Sequence, residues 1–202
     1  MIAGLAVDGK GGTGVDESER DEIVRLTEEY GGAWGIEHTR RLLHLVSIIG
    51  QGQSYDAEVV WLAAHLHDWG GYEKWAQPGV DHAVRSTQVA EEFMAGRGYA
   101  PELVQAVLEC IATHHTGDPN RRIEAILLSD ADGLDFLGAV GVLRDFAKNP
   151  REMRKAFEAA QARRAKVPKQ LCLEKSKEMG KERVRRMEEL LRAFQEESGG
   201  HF

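Results

Sequence analysis

Cysteine is nearly absent: two residues, Cys110 and Cys172, in a chain of 202. Two cannot make a disulfide framework or a cysteine-based zinc site, and this usage points to a reducing compartment, most simply the cytoplasm. Proline is scarce as well, with five residues, and no period-2 run of useful length marks a strand. No apolar stretch approaches the ~20 residues needed to span a bilayer. The opening MIAGLAV carries no Lys or Arg before its short apolar run, so it does not read as a signal peptide. Positive charge is in deficit: 26 Lys and Arg stand against 33 Asp and Glu, for a net charge of −7. A long nucleic acid or a membrane is therefore not the expected partner. A local basic pocket for a small anion stays open.

What remains is helical and rich in histidine. A chain this long can bury roughly 70% of its unfolded surface, so it folds without a metal or disulfide staple. The first sixteen residues, MIAGLAVDGKGGTGVD, hold five glycines. Val15 and Asp16 stand where a phosphate loop needs Lys and Ser/Thr, so residues 1–16 read as a flexible tail. A single all-α domain is expected over 17–198. The pattern predicts helices at about 17–30, 36–50, 56–68, 82–96, 101–115, 121–147, 150–165 and 172–196, punctuated by glycine pairs and by Pro101 and Pro150. The last helix is amphipathic, with Val184, Met187, Leu191 and Phe194 on one face. It reads as a helix docked on the body, or alternatively as a homodimer contact.

A helix advances about 100° per residue, which assigns each histidine a face. His38 begins a stripe continued by Leu42, Leu45, Val46 and Ile49. His67 follows Val60 and Ala63, His82 begins a stripe with Ser86, Val89 and Phe93, and His114 ends the stripe of Leu103, Val107 and Cys110/Ile111. His44, His65, His115 and His201 are expected at the surface or in loops, with His115 beside His114. One histidine on an apolar stripe is ordinarily a satisfied core residue. Burying four imidazoles with nothing to bond would cost several kcal/mol, and a metal or a substrate would satisfy them together.

The carboxylates follow the same logic. Asp68 directly follows His67. The stretch RRIEAILLSDADGLDFLGAVGVLRDF is apolar almost all round, yet carries Asp130, Asp132 and Asp135, and buried carboxylates need cations, donors or metals. Asp132 is the better ligand candidate, with Asp135 beside it as an acid/base or supporting group. Asp130, about 200° away, is a candidate structural carboxylate bonding backbone or an Arg. Mixed His/Asp ligation without thiolate suits Mn, Fe, Co, Ni, Zn or Mg.

In order, the set is EHTRR, AAHLHDWGG and SDADGLDFLGAVG. It resembles the H…HD…D pattern of the HD-domain superfamily of metal-dependent phosphohydrolases over about residues 20–147, with Ala131-Asp132-Gly133-Leu134 matching the context of the last aspartate. The late stretch ending RVRRMEELLRAFQEE is similar to the C-terminal helix of a compact bacterial branch, some of whose members cleave nucleoside triphosphates. The resemblance implies a helical bundle in which His38, His67, Asp68 and Asp132 hold one divalent metal. It implies that His82 and His114 hold a second ion or bind phosphate. No Lys or acidic residue immediately follows the HD pair in HDWGG, which favours one ion. Arg41 and Arg85 are candidate phosphate binders, each with a surface salt bridge as the alternative, and Lys74 or Glu73 could enter the pocket as phosphate binder or general acid at a spacing that is not the family's usual one. Trp69, Tyr72 and Trp75 could stack on a base or pack over a loop.

The expected reaction is hydrolysis of a phosphate ester or phosphoanhydride of a small nucleotide-like substrate by metal-activated water, with Asp68, Asp132 and Asp135 as the working carboxylates. Two other readings stand beside it: a di-iron oxygenase on the same scaffold, and a non-catalytic ligand-binding protein.

Overall fold

The computed structural model describes residues 15–202. The glycine-rich tail expected over 1–16 lies outside them except for Val15 and Asp16. Those two already belong to the body. Val15 is buried, with its N–H donating to Glu58 Oε1 at 2.8 Å, and Asp16 caps the first helix by accepting from Glu19 N at 2.9 Å.

Among the described residues the architecture is all helix: α1 (Glu17–Ile49), α2 (Ala57–Leu66), α3 (His82–Met94), α4 (Pro101–Thr113), α5 (Ile123–Asp135), α6 (Gly138–Lys148), α7 (Met153–Lys166) and α8 (Glu174–Glu197). Short 3₁₀ turns cover Trp69–Gly71 and Val167–Lys169. None of these helices is long and apolar enough to cross a membrane. Aspartates start three of them: besides Asp16, Asp56 accepts from Glu58 N and Asp81 from Ala83 N. Each satisfies an amide that the first helical turn leaves without a partner.

The core is aliphatic. Leu42, Leu62, Leu66, Ile111, Leu127, Leu128 and Leu134, from α1, α2, α4 and α5, are all fully buried. Helix α8 docks over α5 and α6, burying Met187 and Leu191, while Phe194 meets Phe146 with ring centroids 4.9 Å apart. The chain entering α8 is tied to α5 by Asp130, whose carboxylate accepts from Cys172 N at 2.9 Å and Leu173 N at 2.8 Å. Asp130 is thus the structural carboxylate of the pair.

Two helix boundaries differ from the sequence expectation. Residues 17–49 form one continuous element with a kink, where Gly32 takes φ 60° and ψ −168°, conformations only glycine adopts cheaply. The neighbouring glycines make room: a Cβ on Gly31 would lie 2.6 Å from the Tyr72 ring, and one on Gly35 2.6 Å from Tyr72 Oη. Conversely, the single helix expected over 121–147 breaks at Phe136-Leu137. Gly138 has φ 78°, and a Cβ on Gly141 would sit 2.0 Å from the Phe136 carbonyl. The run is apolar throughout, so periodicity alone could not show the turn.

Candidate metal centre

Four elements bring the H…HD…D residues together. His38 projects from the middle of α1, His67 and Asp68 stand at the end of α2, His114 and His115 follow the end of α4, and Asp132 lies on α5. His82 opens α3, held near Asp68 because the Trp69–Gly71 turn presses on α3. That contact needs glycine: a Cβ on Gly70 would fall 2.2 Å from Ser86 N, and Gly70 N–H donates to Ser86 Oγ at 2.9 Å.

The histidines are aimed by their back nitrogens. His38 Nδ1 lies 2.7 Å from Asp135 Oδ2, His67 Nδ1 3.0 Å from the Ala64 carbonyl, and His114 Nδ1 2.6 Å from the Ile111 carbonyl. Each partner accepts, so Nδ1 carries the proton and Nε2 offers a lone pair. The three Nε2 atoms, together with Asp132 Oδ1, are buried and have no hydrogen-bond partner. They face one space: His38 Nε2 is 3.2 Å from Asp132 Oδ1 and 3.8 Å from Asp68 Oδ2, and His67 Nε2 is 3.5 Å from Asp68 Oδ2. Buried polar atoms left unpaired are costly, and this donor set suits a divalent cation. The residues therefore fit a metal. The ligand atoms of His38, His67 and Asp68 lie within 4.8 Å of one another, as do those of a second trio, His82, His114 and His115.

The local electrostatics favour the same occupant. Burial opposes charge on His67 and His114 and lowers both, His114 to about 4, so these imidazoles are neutral at physiological pH. Burial pushes the Asp132 carboxyl up, but the adjacent His38 and the neighbouring imidazoles outweigh this and hold it at about 2. Burial disfavours charge on His38 too, yet Asp132 and Asp135 outweigh it and raise His38 to about 9, so a proton and a metal compete for Nε2.

Several expected positions need correction. Asp135 is no free acid or base. Its Oδ1 accepts from Arg41 Nε at 2.7 Å, and its Oδ2 from Arg41 Nη2 at 2.9 Å and Arg144 Nη1 at 2.8 Å, besides meeting His38. Burial raises Asp135, but the bonds to His38 and Arg41 outweigh it and hold it at about 2, so it stays ionised and orients His38. Arg41 is spent on that carboxylate and does not line the cleft over the site. Lys74 sits over the Tyr30 ring at 3.6 Å, and Arg85 Nε donates to the Trp75 carbonyl at 2.9 Å. Neither lines the cleft. Face assignment also failed for His65. His65 is buried, packed at a tilt against Trp61 with ring centroids 4.0 Å apart and bonded to the Trp61 carbonyl. His115 is exposed in the turn after α4, as expected, and it also lines the cleft, with its Nε2 2.7 Å from that of His82. Helix α4 ends at Thr113, so the 100° step no longer describes His115. His82 itself is only partly buried, at the cleft rim. Of the aromatic trio, Trp69 is core, its Nε1 donating to Thr27 Oγ1 at 3.0 Å, and stacks on Trp75; only Tyr72 lines the cleft.

That cleft, about 670 Å³, is lined by Asp68, Asp132, His82, His114 and His115 on the metal side and by Trp34, Phe136, Arg144, Lys148, Arg163 and Lys166 from α1 and the later helices. The last four cations were not legible as site residues: each falls in a helix whose pattern shows only amphipathicity.

Residues 35–137 match the family model described as HD domain. No curated protein matches the chain. Among solved structures, a predicted HD superfamily hydrolase from an uncultured Thermotogales bacterium is 25% identical, with a TM-score of 0.63 over 90% of this chain and 92% of that one. An HD-superfamily hydrolase from Bacillus thuringiensis shares 20% identity with a TM-score of 0.63, covering 92% of this chain and 99% of its own. YpgQ of Bacillus subtilis, solved in complex with ADP, shares 20% identity with a TM-score of 0.68, covering 89% and 95%. At 20% identity the likeness is one of fold.

Proposed function

The chain belongs to the HD-domain family of metal-dependent phosphohydrolases, and from that premise we propose that it hydrolyses a phosphate ester or phosphoanhydride of a small nucleotide-like substrate. The observation that carries this reading is the convergence of His38, His67 and His114 Nε2 with Asp132 Oδ1, all buried and unpaired, beside a cleft lined with Arg and Lys. His38, His67, Asp68 and Asp132 are the residues that would hold the metal. A divalent ion there supplies a Lewis acid that ionises water near neutral pH and draws charge from a phosphoryl oxygen.

The chain's own side chains do the rest. Asp135 and Arg144 keep His38 in one tautomer and one orientation. Asp68, partly exposed and facing His67, His38 and His82, is the carboxylate placed to reach both the ligand cluster and the cleft. The cationic side of the cleft, with Arg144 nearest the His38–Asp135 pair, favours an anionic substrate. The nucleotide part draws support from the ADP complex of the similarly folded YpgQ and from the cationic lining.

One observation favours a second ion. His82, His114 and His115 place ligand atoms within 4.8 Å of one another, and Asp132 Oδ2 lies 3.7 Å from His115 Nδ1. The missing Lys after the HD pair argued for one ion; this third imidazole argues for two.

The test is elemental analysis of protein purified without chelator, followed by a screen of phosphate esters and nucleotides read as phosphate or pyrophosphate released. Bound divalent metal with hydrolysis of a nucleotide is expected. Metal-free protein, or metal-loaded protein inert on every phosphorylated substrate, overturns the reading. Iron with oxygen uptake would assign the oxygenase chemistry instead.

A further inference from the structure

Residues 138–170 carry nine Lys and Arg against three Asp and Glu, in a chain whose net charge is −7. This basic segment begins after residues 35–137, the part that matches the family model. It contributes Arg144, Lys148, Arg163 and Lys166 to the cleft. The carboxylates beside these cations are already committed: Asp135 to Arg144 at 2.8 Å, and Asp145 to Arg163 at 3.0 Å. Lys148 and Lys166 form no ion pair among the described residues. Partial burial, then the charges of Arg144 and Arg163, hold Lys148 below the ordinary lysine range. Positive charge is therefore in excess here, and it faces the cleft. Trp34 keeps it in place: Arg144 Cζ is 4.9 Å and Lys148 Nζ 5.9 Å from the Trp34 ring. A phosphate monoester held at the His/Asp cluster would leave this excess unanswered.

We propose that the α6–α7 lining is a second anion subsite, built around Lys148 and Lys166, which takes the remote end of a phosphoanhydride chain bearing three or more negative charges. The proposal rests on the phosphohydrolase reading only in placing the other end of that chain at His38, His67, Asp68 and Asp132. Cations that neutralise successive phosphates add attraction with each charge, and salt screens it. The subsite would thus select substrates by chain length before any chemistry occurs.

The experiment needs neither metal nor turnover. The full-length protein in excess EDTA is titrated calorimetrically with inorganic phosphate, pyrophosphate and tripolyphosphate, and with adenosine triphosphate. Affinity is expected to climb along the inorganic series by about 10-fold or more in all, a gain of about 1.4 kcal/mol or more. The Lys148→Glu/Lys166→Glu variant should flatten that climb, and so should the milder Lys148→Gln/Lys166→Gln. Circular dichroism and metal content on reloading should match wild type in both, which separates a lost subsite from a lost fold. Adenosine triphosphate beside tripolyphosphate tells whether the phosphate chain alone or a nucleotide carrying it binds better; either ranking supports the subsite provided both ligands weaken in the variants. Equal affinity for all three inorganic anions, or a climb that survives in both variants, overturns the proposal. An inert but chain-length-selective protein would retain the subsite while refuting the hydrolase reading.

Discussion

Asp135 Oδ2 lies 2.7 Å from His38 Nδ1, with Arg144 Nη1 2.8 Å from the same oxygen. One buried carboxylate thus fixes the tautomer of a ligand histidine while two arginines keep it ionised. Asp135→Asn removes the charge and leaves Arg41 and the buried Arg144 without a counter-ion. Metal affinity should fall about 10- to 100-fold, as for other supporting partners of ligand histidines. A chelator competition measures it; unchanged affinity would show that Asp135 serves the fold alone.

Asp68→Ala should abolish metal binding and hydrolysis together while the helical content survives. Asp68 contributes no core packing, and the aliphatic core between α1, α2, α4 and α5 does not depend on an ion. Wild-type turnover in this variant would remove the metal-hydrolase reading.

The two neighbouring aspartates of α5 should separate cleanly. Asp130→Ala strands the amides of Cys172 and Leu173, each at a cost of about 1–3 kcal/mol, and loosens the start of α8. Its melting temperature should fall with metal content unchanged. Asp132→Ala should lose metal with a smaller change in the melt. The reverse pattern would exchange the two roles.

His114→Ala decides the number of ions. If His82, His114 and His115 hold one, stoichiometry should drop from near two toward one per chain. If they meet only substrate or water, the wild type should hold one ion and the variant should keep it. Elemental analysis of both proteins reads the answer.

Burial raises the Cys110 thiol to about 12. A thiol whose folded pKa lies above its unfolded value of 9.0 costs nothing below that value. Stability is then lost as pH climbs from about 9 toward 12, because only the unfolded chain ionises freely. At pH 8 a thiol reagent should leave Cys110 untouched in native protein and label it only on unfolding. Rapid native labelling of Cys110 would contradict its burial.

Local patterning was enough for the class of the fold, and it marked inward-facing histidines and aspartates; the ligand set itself was what the family resemblance implied. Scarce proline, period-3.6 stripes and histidines at stripe ends are properties of single segments, and they single out His38, His67, His82 and His114, while the H…HD…D resemblance adds Asp68 and Asp132 to the implied ligands. The preference for Asp132 over Asp130 rests on helical phase and on the family context of Ala131-Asp132-Gly133-Leu134, and the structure gives Asp130 a backbone-tying role.

What neighbours decide was not legible. Phase said that Arg41 could turn toward the pocket, but it is Asp135, 94 residues away, that claims its guanidinium. Lys74 was captured by Tyr30 and Arg85 by the Trp75 carbonyl, since long flexible side chains go wherever a partner from another element waits. His65 was placed outside because the face opposite a stripe is normally wet, whereas Trp61 covers it here. Phase gives no guidance past helix ends, where exposed His115 borders the cleft and Phe136-Leu137 interrupts a run that is apolar almost all round. The sequence by itself determined the helical class and nominated the candidate residues, because burial of a histidine or an aspartate demands a partner. Only the tertiary structure decided which cations line the cleft, because that depends on how α6 and α7 pack on each other and α6 against α5, and no periodicity within a single helix encodes those contacts.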